Sequence, residues 1–587
     1  MGTYVLVSLF LAALYAGCGV LNIMLKDGKF LSRWKFLAIC SGIMFLLWLG
    51  INYWTIPAIG LDRSQLYWEM FVTLALGALL FGYDSEGRFE ASRYSFIPAG
   101  SVLLLIVVSA IIGGQMIRSK AYRDMLDMTT EVDSVFEKNI RPTSLEKMRT
   151  VNQEVALCQV EQTMGEIPSL GSWCEIGEMS LQRISGDFTV TDGTGKEVRL
   201  VFEQDFIWAA PLEYRGFWKW NKFKNQGTPG YVLVSATDPS KFYLVTAVNG
   251  KPLSLKYLRS AFFGYNLERA VRKAGCTGFR LEDNGIQIDE QGQPFNVFAK
   301  QEKAFFWGAE KVVGCITVDM QSGEIKEYGL DEIPAFIDIV QPEGLVYDYI
   351  SWAGDLVKGY FNWSQEGKFK PTPGLQVVYG DGNCSYYTGI QSVGADHSTS
   401  GFILTDVQNG QATRYNISGT TEDAAQSAIN SNEWVAKFKG AYYADDAVFY
   451  NVNGLPTYFA PILMNSDGRV MVKGYGFCYV KNREVTGVGA TKEEALSAYL
   501  RAYYLMNNRK GISEGNVDDT TELLEILKIR QEGSCYYFKF KGYEDKDFYA
   551  FSELLPQVRW LEVEEKPIVK VTFKKSDDRN IPIIGLE

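Results

Sequence analysis

Four blocks of almost uninterrupted apolar residues open the chain, and a shorter-period, turn-punctuated pattern follows them to the end. The blocks run over Tyr4–Leu25, Phe36–Ile56, Leu66–Tyr83 and Phe96–Ile117. Each is near the ~20 residues a helix needs to cross a hydrocarbon layer. They predict a four-helix transmembrane unit over residues 1–117 that contacts the lipid bilayer. The first block has full spanning length, lacks a basic leader and is followed closely by the second, so it reads as a retained helix and not a cleaved signal. Its one acidic companion, Glu69, stands near the start of the third block, where it is expected to face water or headgroups.

Beyond the fourth block a helical stalk is expected over 118–180. One helix runs from Ala121 to about Lys138, and a second is capped by Thr143 or Ser144 and carries Met148, Val151, Val155 and Cys158 on one face. The pattern then turns to strands. Phe188–Val198 holds two β-branched runs around Asp192-Gly-Thr-Gly195, a hairpin signal. The remainder divides into a first α+β domain (181–345), a second with repeated hairpins (346–515) and a small C-terminal β-rich domain (516–587). A helix over Thr520–Arg530 is expected to lead into that last domain, before strands at Tyr536–Phe540 and at Val569, Val571 and Phe573.

An internal repeat runs through the middle. Gly314-Cys-Ile-Thr-Val-Asp319-Met-Gln-Ser-Gly323-Glu-Ile-Lys-Glu-Tyr328 aligns without a gap to Gly401-Phe-Ile-Leu-Thr-Asp406-Val-Gln-Asn-Gly410-Gln-Ala-Thr-Arg-Tyr415, at a constant offset of 87. Each copy reads as a strand, an Asp-x-x-x-Gly turn in which Gly takes positive φ, and a return strand ending in Tyr. Gly292-Gln-Pro294 and Gly454-Leu-Pro456 form a second pair, each ahead of a strand pair. Helix starts at Thr421-x-Asp423 and Thr491-x-Glu493 follow two of the hairpins, with Thr as N-cap and an acid in the first turn.

The combination of Val318-Asp319-Met-Gln-Ser-Gly323-Glu324 with Thr491-Lys-Glu493-Glu494-Ala495 resembles the PepSY-type module. That resemblance implies a small regulatory or inhibitory module outside a bacterial membrane. The whole chain also resembles uncharacterised bacterial membrane-anchored proteins in which a segment like Pro229-Gly230-Tyr231 precedes such hairpins, a likeness that implies no activity.

Charge divides the chain and sets the expected orientation. Seven Lys/Arg and six Asp/Glu lie up to Ile117, leaving 51 basic and 63 acidic residues in the rest. This acidic excess argues against a nucleic acid partner. Lys26, Lys29, Arg33, Lys35, Arg88 and Arg93 lie between helices one and two or three and four, against Arg63, Arg118, Lys120 and Arg123 on the other side. The positive-inside rule therefore places the C-terminal body outside the cytoplasm.

No complete catalytic or cofactor signature is present. The single histidine, His397, follows Asp396 in a polar loop near Cys384, and these three residues form the only candidate for nucleophilic chemistry. Neither zinc-ligand spacing nor a phosphate-binding glycine loop occurs, so no metal or cofactor is expected. The nine cysteines form no CxxC pair, and several sit in apolar runs as small buried thiols. Phe217-Trp218-Lys219-Trp220-Asn-Lys222 mixes rings with basic charge, as a membrane-interface or subunit contact would. The pattern favours a membrane-anchored scaffold that assembles with itself or a protein partner, with an enzyme acting near His397 as the alternative.

Overall fold

Apolar side chains on a small helical unit exceed what the unit can bury, and the surplus faces outward. The computed structural model describes residues 2–26, 30–80, 93–131, 140, 142–166, 168–363, 365–380, 383–393, 399–438, 440–466, 468–512, 519–532, 535–551, 558, 568–574 and 579–586. Its first helices are α1 (Gly2–Lys26), α2 (Phe30–Thr55), α3 (Ser64–Leu80) and α4 (Ile97–Gly113), followed by α5 (Gln115–Arg123). Gly2–Asn22 of α1 and Trp34–Thr55 of α2 are long and apolar enough to cross a membrane. The pair α4 and α5, bent by 41°, adds a third span if counted as one, and α3 is a shorter apolar helix. Leu11, Tyr15, Met44, Trp48 and Ala78 pack inside, while Leu6, Ile39, Ile43, Leu46 and Leu104 point outward, a surface suited to lipid contact. Glu69 does not face water: it is 3% exposed and accepts hydrogen bonds from Gln65 (3.0 Å) and Asn52 (3.5 Å) between α2 and α3.

The stalk is shorter than its periodicity suggests. The helix expected to continue to Lys138 stops at Arg123, and Met128–Glu131 is a strand paired in parallel with Ala412–Tyr415. Thr129 and Thr130 favour extended backbone, and the open edge of the 412–415 strand takes it up. Thr143 and Ser144 cap no long helix either. The helix is Gln153–Glu166, with Asn152 accepting from the Val155 N–H at 2.9 Å.

A large α+β region with several antiparallel sheets makes up the rest. In the first sheet, strands Ser180–Asp192, Glu197–Tyr214, Tyr231–Ser235 and Phe242–Val248 pair in a ring around Phe188, Ile207, Tyr231 and Val245. The next is a four-stranded meander, Arg280–Gly329. Two further sheets share one plan. In each, a long strand (Asn383–Ser392 or Leu455–Ser466) pairs on one side with two short strands in succession and on the other with a hairpin, and a helix follows (Glu422–Asn430 or Lys492–Ile512).

The 87-residue repeat is the same hairpin twice. Asp319 and Asp406 each accept from the N–H groups two and three residues on, and Gly323 (φ +78°) and Gly410 (φ +77°) close the turns. At the other end, a Cβ on Gly314 would lie 2.1 Å from the Tyr328 carbonyl oxygen, and one on Gly401 2.2 Å from that of Tyr415. The recurring Gly and Tyr thus record one close backbone crossing.

The C-terminal unit is a closed five-stranded barrel. Its opening segment corrects the expected Thr520–Arg530 helix, because Asp519–Glu532 is one long strand. Leu524 and Ile526 are buried while Leu523 and Leu527 are not, a period of two. Pairing of its first half with Ile568–Lys574 and its second with Cys535–Phe540 overrides the helix preference of its Leu, Glu and Lys residues.

Helices and body meet at several contacts. Thr3 reaches Thr277 (3.3 Å), the Ile59 N–H donates to the Thr277 carbonyl (2.8 Å), and Gly113 at the end of α4 lies against the backbone of Phe306 and Trp307. Between them Arg63, from the α2–α3 connection, enters the body and binds Glu310 through both guanidinium Nη groups (3.0 and 3.3 Å).

Candidate functional site

An open cavity of about 610 Å³ lies where four separate stretches of chain converge. The start of the Gln153–Glu166 helix brings Asn152 and Glu154. The connection between strands Phe369–Pro371 and Gln376–Gly380 of the third sheet brings Thr372 and Gln376. The Glu422–Asn430 helix brings Glu422, Asp423 and Gln426 at its N-terminal end, and the turn after Tyr442–Ala444 brings Asp445 and Asp446.

Each acid is fixed locally. Asp446 adopts φ +53°, a left-handed conformation that Asp tolerates better than most residues. Arg149 holds it at 2.5 Å and Gln376 at 3.3 Å, and the Gln426 amide oxygen accepts from its backbone N–H at 3.0 Å. Asp445 accepts from Asn152 at 2.6 Å, and burial together with the adjacent Asp446 raises its carboxyl above the ordinary range. Glu422 sits deepest. Its carboxylate accepts from the Gly389 N–H (3.1 Å) and the Thr372 hydroxyl (3.2 Å), yet burial still pushes its pKa up. Gly389 lets the backbone come close, since a Cβ there would stand 3.0 Å from the Glu422 oxygen. Beside it the buried Tyr387 hydroxyl pairs with that of Tyr458 at 2.7 Å.

Five carboxyl groups thus line the cleft, and among the described residues Arg149 alone forms an ion pair with any of them. Such a surface attracts cations and repels anions. No group of three or more His, Cys, Asp or Glu among the described residues is placed to hold a metal ion. The arrangement suits an ammonium or guanidinium group.

The residues singled out in the sequence lie elsewhere. Cys384 is buried in the core between the third sheet and its neighbours, while Asp396 and His397 lie outside the described residues. The aromatic-basic run forms the short helix Phe217–Phe223, which divides its residues between core and solvent. Trp220 is buried and Phe217 packs on Phe262 (5.1 Å between ring centres), whereas Trp218 is 80% exposed, Lys222 projects outward and Lys219 is half-buried. None of the nine cysteines forms a disulfide, and burial pushes the thiols of Cys174, Cys315, Cys478 and Cys535 up to about 12.

Sequence reading missed the cleft because its acids are scattered over 154–446. One signal was present: Asp445-Asp446 interrupts a run of residues that otherwise pack inward, between Ala444 and Ala447. The chain matches no protein-family model and no curated protein.

Proposed function

We propose that this chain is a membrane-anchored interaction protein. Its four apolar helices cross the bilayer, its α+β body stands on the extracytoplasmic side, and the acidic cleft receives a cationic segment of a protein partner. The observation that carries this reading is the buried coupling of Arg63 to Glu310, which ties the body directly to the helices. A flexible tether would need no such contact, whereas a scaffold that presents a surface in fixed orientation does.

Other features agree with it. The N-terminus, the α2–α3 connection and the end of α4 all meet the body, an arrangement that fits an even number of crossings. The basic loops then lie on the opposite side, as the positive-inside rule requires of an external body. Hairpin-plus-helix units of the PepSY-like kind give the body a regulatory or assembly role.

Binding of a fluorescent lysine-rich peptide to the full chain in detergent micelles tests the cleft. Saturable binding that weakens with salt, and falls at least tenfold in Asp445→Asn/Asp446→Asn, is expected. Equal binding by wild type and variant, or preference for a glutamate-rich peptide, contradicts it.

An enzymatic reading rests on Glu422, a buried carboxyl with a raised pKa beside an open cleft, which has the character of a general acid. It places the candidate acid at Glu422, apart from the buried Cys384.

A further inference from the structure

A second cavity, about 500 Å³, opens where α2 leaves the helical unit and meets the body. Trp54 and Ile56 form one wall, and Arg259, Phe262, Glu268 and Arg269 contribute to the other. Trp54 ends the apolar stretch Trp34–Thr55 and is 74% exposed, the position of a side chain at headgroup level. Ile56 takes φ +41°, a costly conformation for a β-branched residue, at the point where the chain turns away from the helix axis into Pro57.

The cations of this cavity are not equivalent. Arg259 is engaged by Asp283 and Glu178, and Glu268 pairs with Arg272 at 3.3 Å. Arg269 makes no ion pair with any described residue. Its guanidinium is held by rings instead, 4.7 Å from the centre of Tyr53 and 5.9 Å from that of Trp54, and its buried Nε has no acceptor. A guanidinium oriented by two aromatic faces, with a donor unspent, beside a cavity at the end of an apolar helix, lacks one thing: an anionic oxygen.

We infer that this cavity is a phosphoglyceride headgroup site, in which Arg269 donates to the phosphodiester and Trp54, at the end of the apolar helix, packs against the glycerol. The inference rests on the reading that the apolar helices lie in a bilayer. It adds a lipid-specific contact between the membrane and the body, independent of the acidic cleft.

Native mass spectrometry of the full chain released from detergent micelles tests it, with phosphatidylethanolamine, phosphatidylglycerol and inorganic phosphate as separate probes. Wild type is expected to retain one phospholipid per chain and no inorganic phosphate, and Arg269→Gln to retain at least tenfold less lipid at equal protein folding. Equal retention by the two proteins overturns the site, and a phosphate adduct without a lipid adduct shows a soluble-anion site instead. If Arg269→Gln does not fold, a lipid with a photoreactive headgroup is applied to the unaltered protein. Adducts within 53–56 or 259–269 support the inference, and adducts only elsewhere overturn it. Failure of the bilayer reading is seen separately, as a chain that stays in the aqueous phase without detergent.

Discussion

Arg63 and Glu310 lie 247 residues apart in sequence, yet they form a buried bidentate ion pair across the boundary between the helices and the body. Lys303 also reaches the Glu310 carboxylate, at 2.9 Å, and the Gln301 and Gly278 carbonyls accept from Arg63 at 3.2 and 3.3 Å. Removing one partner of a buried pair strands the other, at a cost of about 3–5 kcal/mol. Glu310→Ala leaves two cations uncompensated, whereas Arg63→Ala leaves Glu310 with Lys303. Thermal unfolding in micelles is therefore expected to rank Glu310→Ala below Arg63→Ala and both below wild type. Unfolding temperatures equal to wild type would show that the contact does not hold the body.

The two copies of the hairpin make a paired prediction. Gly314→Ala and Gly401→Ala each force a Cβ onto the facing Tyr carbonyl, so both are expected to destabilise by more than about 2 kcal/mol. Gly195→Ala is the contrasting case, because open space surrounds the position and only the φ of +85° opposes it, which costs about 1 kcal/mol. Denaturant midpoints for the three variants check the order.

Two buried groups give stability a shape in pH. Burial lifts Asp338 from 3.8 to about 6 despite its ion pair with Arg183, so the folded chain holds a proton there that the unfolded chain releases. This contribution is full below about 3.8 and is lost as pH rises through about 6. Lys492, desolvated as its ammonium donates to the Leu145 and Met148 carbonyls, falls from 10.5 to about 8. Its contribution is full above about 10.5 and is lost as pH falls through about 8. Asp338→Asn is expected to abolish a loss of stability as pH rises from 3.8 to about 6, and Lys492→Met a gain as pH rises from about 8 to 10.5, read from unfolding curves across that range.

The underside of the body carries an exposed aromatic turn, Tyr360, Phe361 and Trp363, the last 87% exposed. Gly359 beside it approaches Ser119 of α5, only five residues beyond Gly114. At about 1.5 Å per residue this puts Ser119 roughly 9 Å beyond the end of α4, so in the proposed bilayer the aromatic turn faces the interfacial layer. A benzophenone amino acid at position 363 is expected to crosslink to lipid in reconstituted membranes, and one at position 218 is not. Equal lipid labelling at both positions would remove the distinction.

Legibility in the sequence followed the range of the interactions. The apolar helices, the 87-residue hairpin repeat and the Thr421 and Thr491 helix starts depend on neighbours close in the chain, and the residues that specify them stand together. Asp519–Glu532 failed because local propensity and tertiary pairing disagree, and the pairing on both edges prevails. Arg63 read only as a loop charge because its partner lies in a distant strand. The acidic cleft was hidden for the same reason, with Asn152, Thr372, Glu422 and Asp446 meeting only after three units have packed together.

The most direct test of an anchored body outside the cytoplasm is labelling of a cysteine placed at Thr194, in the exposed turn after Asp192, by a membrane-impermeant maleimide added to cells whose outer envelope has been opened. The unaltered chain serves as the background, since its least buried native thiols in the body, Cys158 and Cys276, are half-covered. Strong labelling of Thr194→Cys before the membrane is breached is the predicted result. Protection until detergent is added would contradict it and place the body, with its acidic cleft, in the cytoplasm.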